Sequence, residues 1–253
     1  MITPVFAYQW GLIWDNKAEF WKGLELALEM AAVALVLSTV IGLGLALMRT
    51  ARPPLNWIGS LYINIFRGMP ALVTALWVYF GVSIVVGINF TVFQAGVISL
   101  TLLYSAFISE IYRAALLAVP RGQREAGAAL GMRPHRVFLQ IVLPQATKIA
   151  IPNLGSMFIG MLKDTSTFLA IGAAEIIFRT QTLENTYFQP FVLFTAAAAV
   201  YVVAAFVIDF VFRVIERMLT VPPSGGIAGV FGRRRQRRIA SVIERVEGVS
   251  VVS

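Results

Sequence analysis

Uncharged apolar stretches constrain this chain more than any other feature. Gly68 to Ser109 contains no charged residue over 42 positions, and Met30 to Met48 contains none over 19. Thr165–Ala174 and Phe191–Ile208 are also free of charge. About 20 apolar residues cross a bilayer as a helix, and lipid offers no partner for backbone polar groups. Because only 13% of residues are charged, a water-soluble core could not be covered, and the sequence predicts an all-α polytopic membrane protein.

Five membrane-spanning helices are predicted from these stretches. The longest run exceeds one span and is interrupted at residues 86–89 (Val-Gly-Ile-Asn), which predicts a tight outer loop between two spans. The predicted helices are 22–48, 57–86, 91–118, 149–175 and 191–217. Residues 1–21 form a predicted extracytoplasmic segment, 22–217 the transmembrane domain and 218–253 a basic cytoplasmic tail.

Lysine and arginine residues predict the orientation of the chain, because cytoplasmic loops carry an excess of them. One side of the predicted topology holds only Lys17, Lys22 and Arg179. The other side holds sixteen: Arg49, Arg52, Arg113, Arg121, Arg124, Arg133, Arg136, Lys148, Arg213, Arg217, Arg233, Arg234, Arg235, Arg237, Arg238 and Arg245. The N-terminus is therefore predicted outside and the C-terminus inside.

The basic tail also has two readings. Its arginine run, 233–238, has no interleaved aromatic residues and is read as a solvated segment against the inner leaflet rather than a nucleic-acid site.

Several kinds of chemistry are excluded or disfavoured by composition. The chain contains no cysteine, which excludes disulfides and thiolate metal sites, and His135 is its only histidine. Its four lysines follow Asn, Trp, Thr and Leu, so the Gly-Lys-Ser/Thr of a phosphate-binding loop is absent. We predict no catalytic residues, metal site or cofactor in this chain, and any energy from ATP would have to come from a partner.

The connection between the third and fourth predicted spans, about 119–148, is far longer than most inter-helix connections. Residues 123–130 predict a short helix with Glu125 in its first turn, where the helix dipole favours an anion. Gly131 and Pro134 predict its end. Small residues at 126–129 allow close approach, which predicts a helix that docks in a groove of a partner.

The same connection resembles the "EAA" loop of bacterial ABC importer permeases. The resemblance rests on Glu125-Ala126-Gly127, then Gly131, then residues 141–144 (Ile-Val-Leu-Pro), with Gly127 where the family usually has Ala. It implies the type I permease fold and a coupling helix that docks on an ATP-binding subunit. The residues assigned to coupling on this basis are Glu125, Ala126, Gly127, Gly131, Leu143 and Pro144.

Further segments are similar to the polar amino acid importer family, which transports histidine, glutamate, glutamine, arginine or opines. Residues 61–70 resemble its "E-x-F-R-G-T-P" motif, with Asn64 and Met69 as departures, and residues 161–166 resemble its "LKDTS" motif. The likeness covers about residues 20–220. It implies a bacterial inner-membrane importer with two ATPase subunits that bind ATP and Mg, an external solute-binding protein, and a second permease copy, identical or related.

Polar residues near the predicted middle of the fourth span are the candidate substrate path. Lys163 and Asp164 are predicted to meet the carboxylate and ammonium groups of a zwitterion, with Thr165 and Ser166 beside them; the equal alternative is that they brace helices. Arg67, next to the helix-breaking Gly68-Met69-Pro70, either borders the path or orients the helix at the inner surface.

Two alternatives remain for the activity. The importer's cargo is either a polar amino acid or a compatible solute or opine-like compound on the same scaffold. A gradient-driven secondary transporter is the alternative from another class, and it leaves the long connection unexplained.

Overall fold

The computed structural model describes residues 9–220. The arginine run 233–238 and the rest of the predicted tail beyond residue 220 lie outside the described residues. The chain divides into a unit that ends at Val214 and a second unit from Ile215, of which only the last turns of a helix are described.

All regular structure in residues 9–220 is helical. The helices are α1 Gly11–Asp15, α2 Lys17–Thr50, α3 Leu55–Gly68, α4 Ala71–Leu76, α5 Ser83–Val86, α6 Val92–Ala118, α7 Arg121–Ala129, α8 Pro134–Val137, α9 Leu143–Asp164, α10 Ile176–Tyr187 and α11 Pro190–Thr220. π-Helical turns Trp77–Val82 and Phe138–Val142 join α4 to α5 and α8 to α9, and a 3-10 helix, Thr165–Ile171, follows α9.

Helix α6 lies at the centre and packs against α2, α3 and α9. Its first turn is fixed by a capping box, in which the Thr91 hydroxyl accepts from Gln94 N and the Gln94 side chain accepts from Thr91 N. Gly42 lets α2 approach closely, because a Cβ there would lie 2.9 Å from Ile108 Cγ2.

Three described helices, α2, α6 and α11, are long and apolar enough to cross a membrane. A fourth crossing exists if α3 and Ala71–Val86 form one broken span, bent by 109°. The prediction of one helix over 57–86 was therefore wrong, although its glycine and proline signalled the break. Met69 is extended before Pro70, as expected for a residue that precedes proline. Gly87, in the left-handed region at φ 71°, ends α5 and confirms the loop before α6.

Helix ends also differ from prediction. α2 begins at Lys17 rather than 22, and α11 continues to Thr220 rather than 217. The predicted helix 149–175 was wrong, since α9 starts at Leu143 and stops at Asp164. Three hydroxyls explain the stop: those of Thr165, Ser166 and Thr167 donate to the carbonyl three residues back, at 2.7, 2.6 and 2.8 Å. Such bonds compete with the α-helical ladder and favour the tighter 3-10 turn.

Candidate functional site

The proposed coupling helix is α7. It begins at Arg121, two residues earlier than predicted, so Glu125 lies in the second turn rather than the first, and that detail was wrong. Its end is as predicted: Gly131 adopts φ 73°, and the amides of Gly131 and Met132 donate to Ala128 O and Gly127 O at 2.9 and 3.1 Å. The Pro134 ring opens α8.

Gly127 faces the body of its own chain. It is the buried residue of α7, and a Cβ there would lie 2.9 Å from Val137 Cγ2 and 3.1 Å from Ile141 Cδ1. This contact explains why glycine stands where the resembled family has alanine. Gly127 therefore packs within its own chain, whereas Glu125 and Ala126 are exposed, and the coupling role of all three stays a prediction.

The base of α7 is tied to the central helix. Arg124 Nη2 donates to Leu116 O near the end of α6 at 2.9 Å. Leu143 and Pro144 open α9, with Leu143 half-buried and Pro144 exposed. Arg124 therefore links α7 to α6, and the contacts of Gly127 with Val137 and Ile141 link α7 to the segment that leads into α9.

Asp164 and Arg67 contact one aromatic cluster, which consists of Tyr104 and Phe107 of α6. The Tyr104 hydroxyl of α6 donates to Asp164 Oδ2 at 2.9 Å. The Tyr104 ring lies 6.0 Å from that of Phe107, and the Arg67 guanidinium carbon lies 5.6 Å from the Phe107 centroid, within cation–π range. The sequence analysis singled out Asp164 and Arg67 but neither aromatic residue.

Lys163, Thr165 and Ser166 are placed differently from expectation. Lys163 and Asp164 are the last two residues of α9, and the chain continues from them as a 3-10 helix. Lys163 is exposed and makes no ion pair with any described residue. The Thr165 and Ser166 hydroxyls donate to backbone carbonyls, so their oxygens can only accept further hydrogen bonds.

A buried acid was missed by the sequence analysis. Glu175 is 0% exposed; its Oε1 accepts from Phe178 N at 3.0 Å and so caps α10, and its Oε2 accepts from the Tyr201 hydroxyl of α11 at 2.6 Å. The sequence signal for this buried acid was a single carboxylate between the apolar residues Ala174 and Ile176, because a buried charge is tolerated only when it has a partner. Together with Tyr104 and Asp164, this pair fixes both ends of the non-α segment 165–174.

Ion pairs also form within single helices. Arg113 Nε binds Glu110 Oε2 at 2.9 Å, and Arg213 pairs with Asp209. Arg49, at the end of α2, also binds Glu110. The sequence analysis used Arg49 only to predict the topology and did not foresee this ion pair. Among residues 9–220, no group of three His, Cys, Asp or Glu side chains is arranged to hold a metal ion.

Comparison with known proteins places this architecture. Residues 38–221 match the family described as "Binding-protein-dependent transport system inner membrane component". The chain belongs to this family. The permease is 38% identical over 185 residues to the probable amino-acid ABC transporter permease protein PatM of Vibrio harveyi, covering 71% of this chain and 82% of that one. It is 31% identical over 209 residues to the probable glutamine ABC transporter permease protein GlnM of Bacillus subtilis (strain 168), covering 82% and 96%.

Solved structures agree on the fold. The permease superposes with a TM-score of 0.76 and 31% identity on a chain described as "an amino acid ABC transporter with histidines", covering 84% of this chain and 100% of that one. A chain of an inward-facing MetNI methionine ABC transporter matches at a TM-score of 0.71 and 23% identity, covering 82% and 99%, and supports the fold alone.

These findings confirm the predicted class. The permease has the type I ABC importer fold and is a multi-pass inner-membrane protein. It is the transport component, not the enzyme, of a binding-protein-dependent system, and the family implies an ATPase subunit and a solute-binding protein as its partners.

Proposed function

We propose that this permease carries a polar amino acid across the inner membrane, driven by ATP bound with Mg on a separate ATPase pair. The cargo assignment is supported by relatives named for amino-acid, glutamine and arginine transport; the last is ArtQ of Escherichia coli (strain K12), 31% identical over 215 residues, with 76% and 90% of the two chains covered. The mechanism is carried by one observation, the exposed α7 joined to α6 by Arg124. A compatible solute or opine-like compound remains the alternative cargo.

The assembly follows from the same proposal. Two permeases, identical or related, enclose the path, and each presents Glu125, Ala126 and Gly131 to one ATPase subunit. Gly127, Leu143 and Pro144 set the angle of α7 on α9. We further propose five crossings with the N-terminus outside, the fourth being α9 with its 3-10 extension.

Coupling is tested by co-purification in detergent with candidate ATPase subunits. Glu125→Arg reverses an exposed charge on α7 and should lose or uncouple the ATPase. Asp15→Arg reverses an exposed charge on α1 and is the matched control, expected to co-purify as the wild type does. An ATPase retained equally by both variants, with normal coupling, would contradict the docking role of α7.

The substrate path is proposed to run past the aromatic cluster. Tyr104 holds Asp164 Oδ2, while Asp164 Oδ1 makes no described hydrogen bond and is available to a cargo ammonium group. Lys163 and Arg67 are exposed cations for the carboxylate, and the half-buried Ser166 offers an acceptor oxygen near Lys163, whereas Thr165 is buried. This arrangement gives Asp164 both a bracing and a binding role.

Asp164→Asn separates those roles, since an amide keeps the hydrogen bond and removes the charge. We expect it to reduce uptake at least tenfold, the factor for about 1.4 kcal/mol of lost binding, with ATPase docking intact. Tyr104→Phe removes only the brace and should reduce uptake less. Normal uptake kinetics in Asp164→Asn would refute the cargo contact. A panel of labelled ligands against the cognate binding protein tests the cargo class, and binding of only a sugar or metal would overturn it.

A further inference from the structure

Three helix ends meet around a polar cleft of about 460 Å³. They are the C-terminal end of α2, the first turns of α3 and the C-terminal part of α6. The residues that line the cleft are Arg49, Thr50, Asn56, Ser60, Arg113 and Leu117. Two are cationic and none is acidic.

The two arginines keep unused hydrogen-bond donors. Both bind Glu110, so two guanidinium groups share one carboxylate and the triad retains a net positive charge. Each guanidinium carries five N–H donors, most of which Glu110 does not occupy. The side chains of Arg49 and Arg113 remain 32% and 36% exposed, which leaves them reachable.

The start of α3 adds further donors. Asn56 accepts the Ser60 hydroxyl at 3.1 Å through its oxygen, which leaves its NH2 group free to donate. Pro54, the residue before α3, provides no side-chain cap. The first amide that donates to the Pro54 carbonyl is that of Trp57, so the amides of Leu55 and Asn56 have no acceptor within the helix. Arginine donors and an uncapped helix N-terminus together favour an oxyanion such as phosphate.

An apolar cleft of about 420 Å³ continues from the polar one and shares Thr50, Arg113 and Leu117 with it. Its apolar lining includes Leu47, Leu116, Met132, Val137, Phe138 and Val142. Free inorganic phosphate cannot fill such a cleft, whereas an amphiphile with an anionic head fits both parts. The site also lies at the C-terminal ends of α2 and α6, two helices long and apolar enough to cross a membrane, where a bilayer would place its headgroups.

We propose that this double cleft binds an anionic phospholipid, with its phosphate on Arg49, Arg113 and Asn56 and hydrocarbon in the apolar part. Because Arg124 and Ala128 of α7 also line the apolar cleft, the lipid braces the coupling helix against α2 and α6. This regulatory consequence rests on the proposed function, whereas binding itself does not.

The test uses the full importer in nanodiscs of phosphatidylcholine with or without phosphatidylglycerol, and native mass spectrometry to count retained lipids. Asn56→Asp places a negative charge in the cleft, in the first turn of a helix where acids are tolerated, so folding should be kept. Asn64→Asp makes the same change on the same helix at an exposed position outside the cleft and is the matched control.

We expect the wild type and Asn64→Asp to retain phosphatidylglycerol, and Asn56→Asp to bind it about fivefold or more weakly. Equal retention by Asn56→Asp and wild type overturns the site. Binding of inorganic phosphate, with no preference for phosphatidylglycerol, overturns the lipid as its source. Since lipid retention is read without cargo or ATP, its failure is distinguishable from failure of the transport proposal.

Discussion

Gly127 shows how one missing methyl group positions the coupling helix. Val137 Cγ2 occupies the space where a Cβ would stand, and valine has little rotameric freedom with which to move away. α7 therefore lies closer to α8 than an alanine would allow. The position of α7 against its own chain is therefore set by the pair Gly127 and Val137.

Gly127→Ala is expected to destabilise this contact by about 1–3 kcal/mol through overpacking, exceeding the small gain that alanine gives in a helix. The single variant should therefore weaken ATPase co-purification. The double variant Gly127→Ala with Val137→Ala makes room for the added methyl group and should recover it. Coupled ATP hydrolysis in reconstituted importer is the measurement. A single variant that couples normally would show that α7 adjusts without cost.

Glu175 is a buried acid at the point where three helices meet. Its two oxygens satisfy an amide and a phenol, and Gly23 permits α2 to lie against it, since a Cβ there would be 2.8 Å from the Ile176 backbone. The contact joins α2, α10 and α11 around one carboxylate.

Tyr201→Phe leaves Glu175 Oε2 without its phenol and should cost about 1–3 kcal/mol of unfolding free energy, the penalty for an unsatisfied buried group. Denaturant unfolding in detergent micelles measures it. Tyr187→Phe, at an exposed tyrosine, is the control and should change little. Equal effects of the two substitutions would argue against a special role for Glu175.

Among the helices, α6 is the central one that connects the loop containing α7 to the candidate substrate path. Its capped first turn, its buried middle with Tyr104, and its end at Leu116, held by Arg124, lie on one continuous helix. Under the proposed mechanism, α6 therefore offers one continuous connection from α7 to Asp164, and α9 a second. By contrast α3 and α9 are both interrupted, at Pro70 and after Asp164.

Thr91→Ala removes the capping box of α6 and should reduce unfolding free energy by about 1 kcal/mol. Thr195→Ala, which removes only an exposed hydroxyl bonded to Phe191 O, is the matched control. Hydrogen exchange at residues 92–95 should rise in the first variant alone. Unchanged exchange there would mean that packing, and not the cap, holds the start of α6.

For the whole molecule, orientation is the property that decides which face meets the ATPase. The wild-type chain has no cysteine, so single cysteines report accessibility without a background. Asn89 lies exposed in the loop before α6, and His135 lies exposed beside α7.

We expect Asn89→Cys to react with a membrane-impermeant maleimide in intact cells, and His135→Cys to react only after permeabilisation, because the arginine-rich connections stay inside. Labelling of His135→Cys from outside would reverse the proposed topology. Labelling of both sites from one side would contradict the crossings assigned to α6.

The sequence by itself determined the class of this protein, since charge-free stretches require helices in lipid and Glu125 to Pro144 follow a recognisable spacing. It also determined the break at Pro70 and the stop at Gly131, because proline and glycine act on the backbone locally. Tertiary contacts were needed to show which side of α7 Gly127 occupies, and that the hydroxyls of Tyr104 and Tyr201 bind the carboxylates of Asp164 and Glu175. Those features depend on contacts between residues 10 to 60 positions apart, which no local pattern encodes.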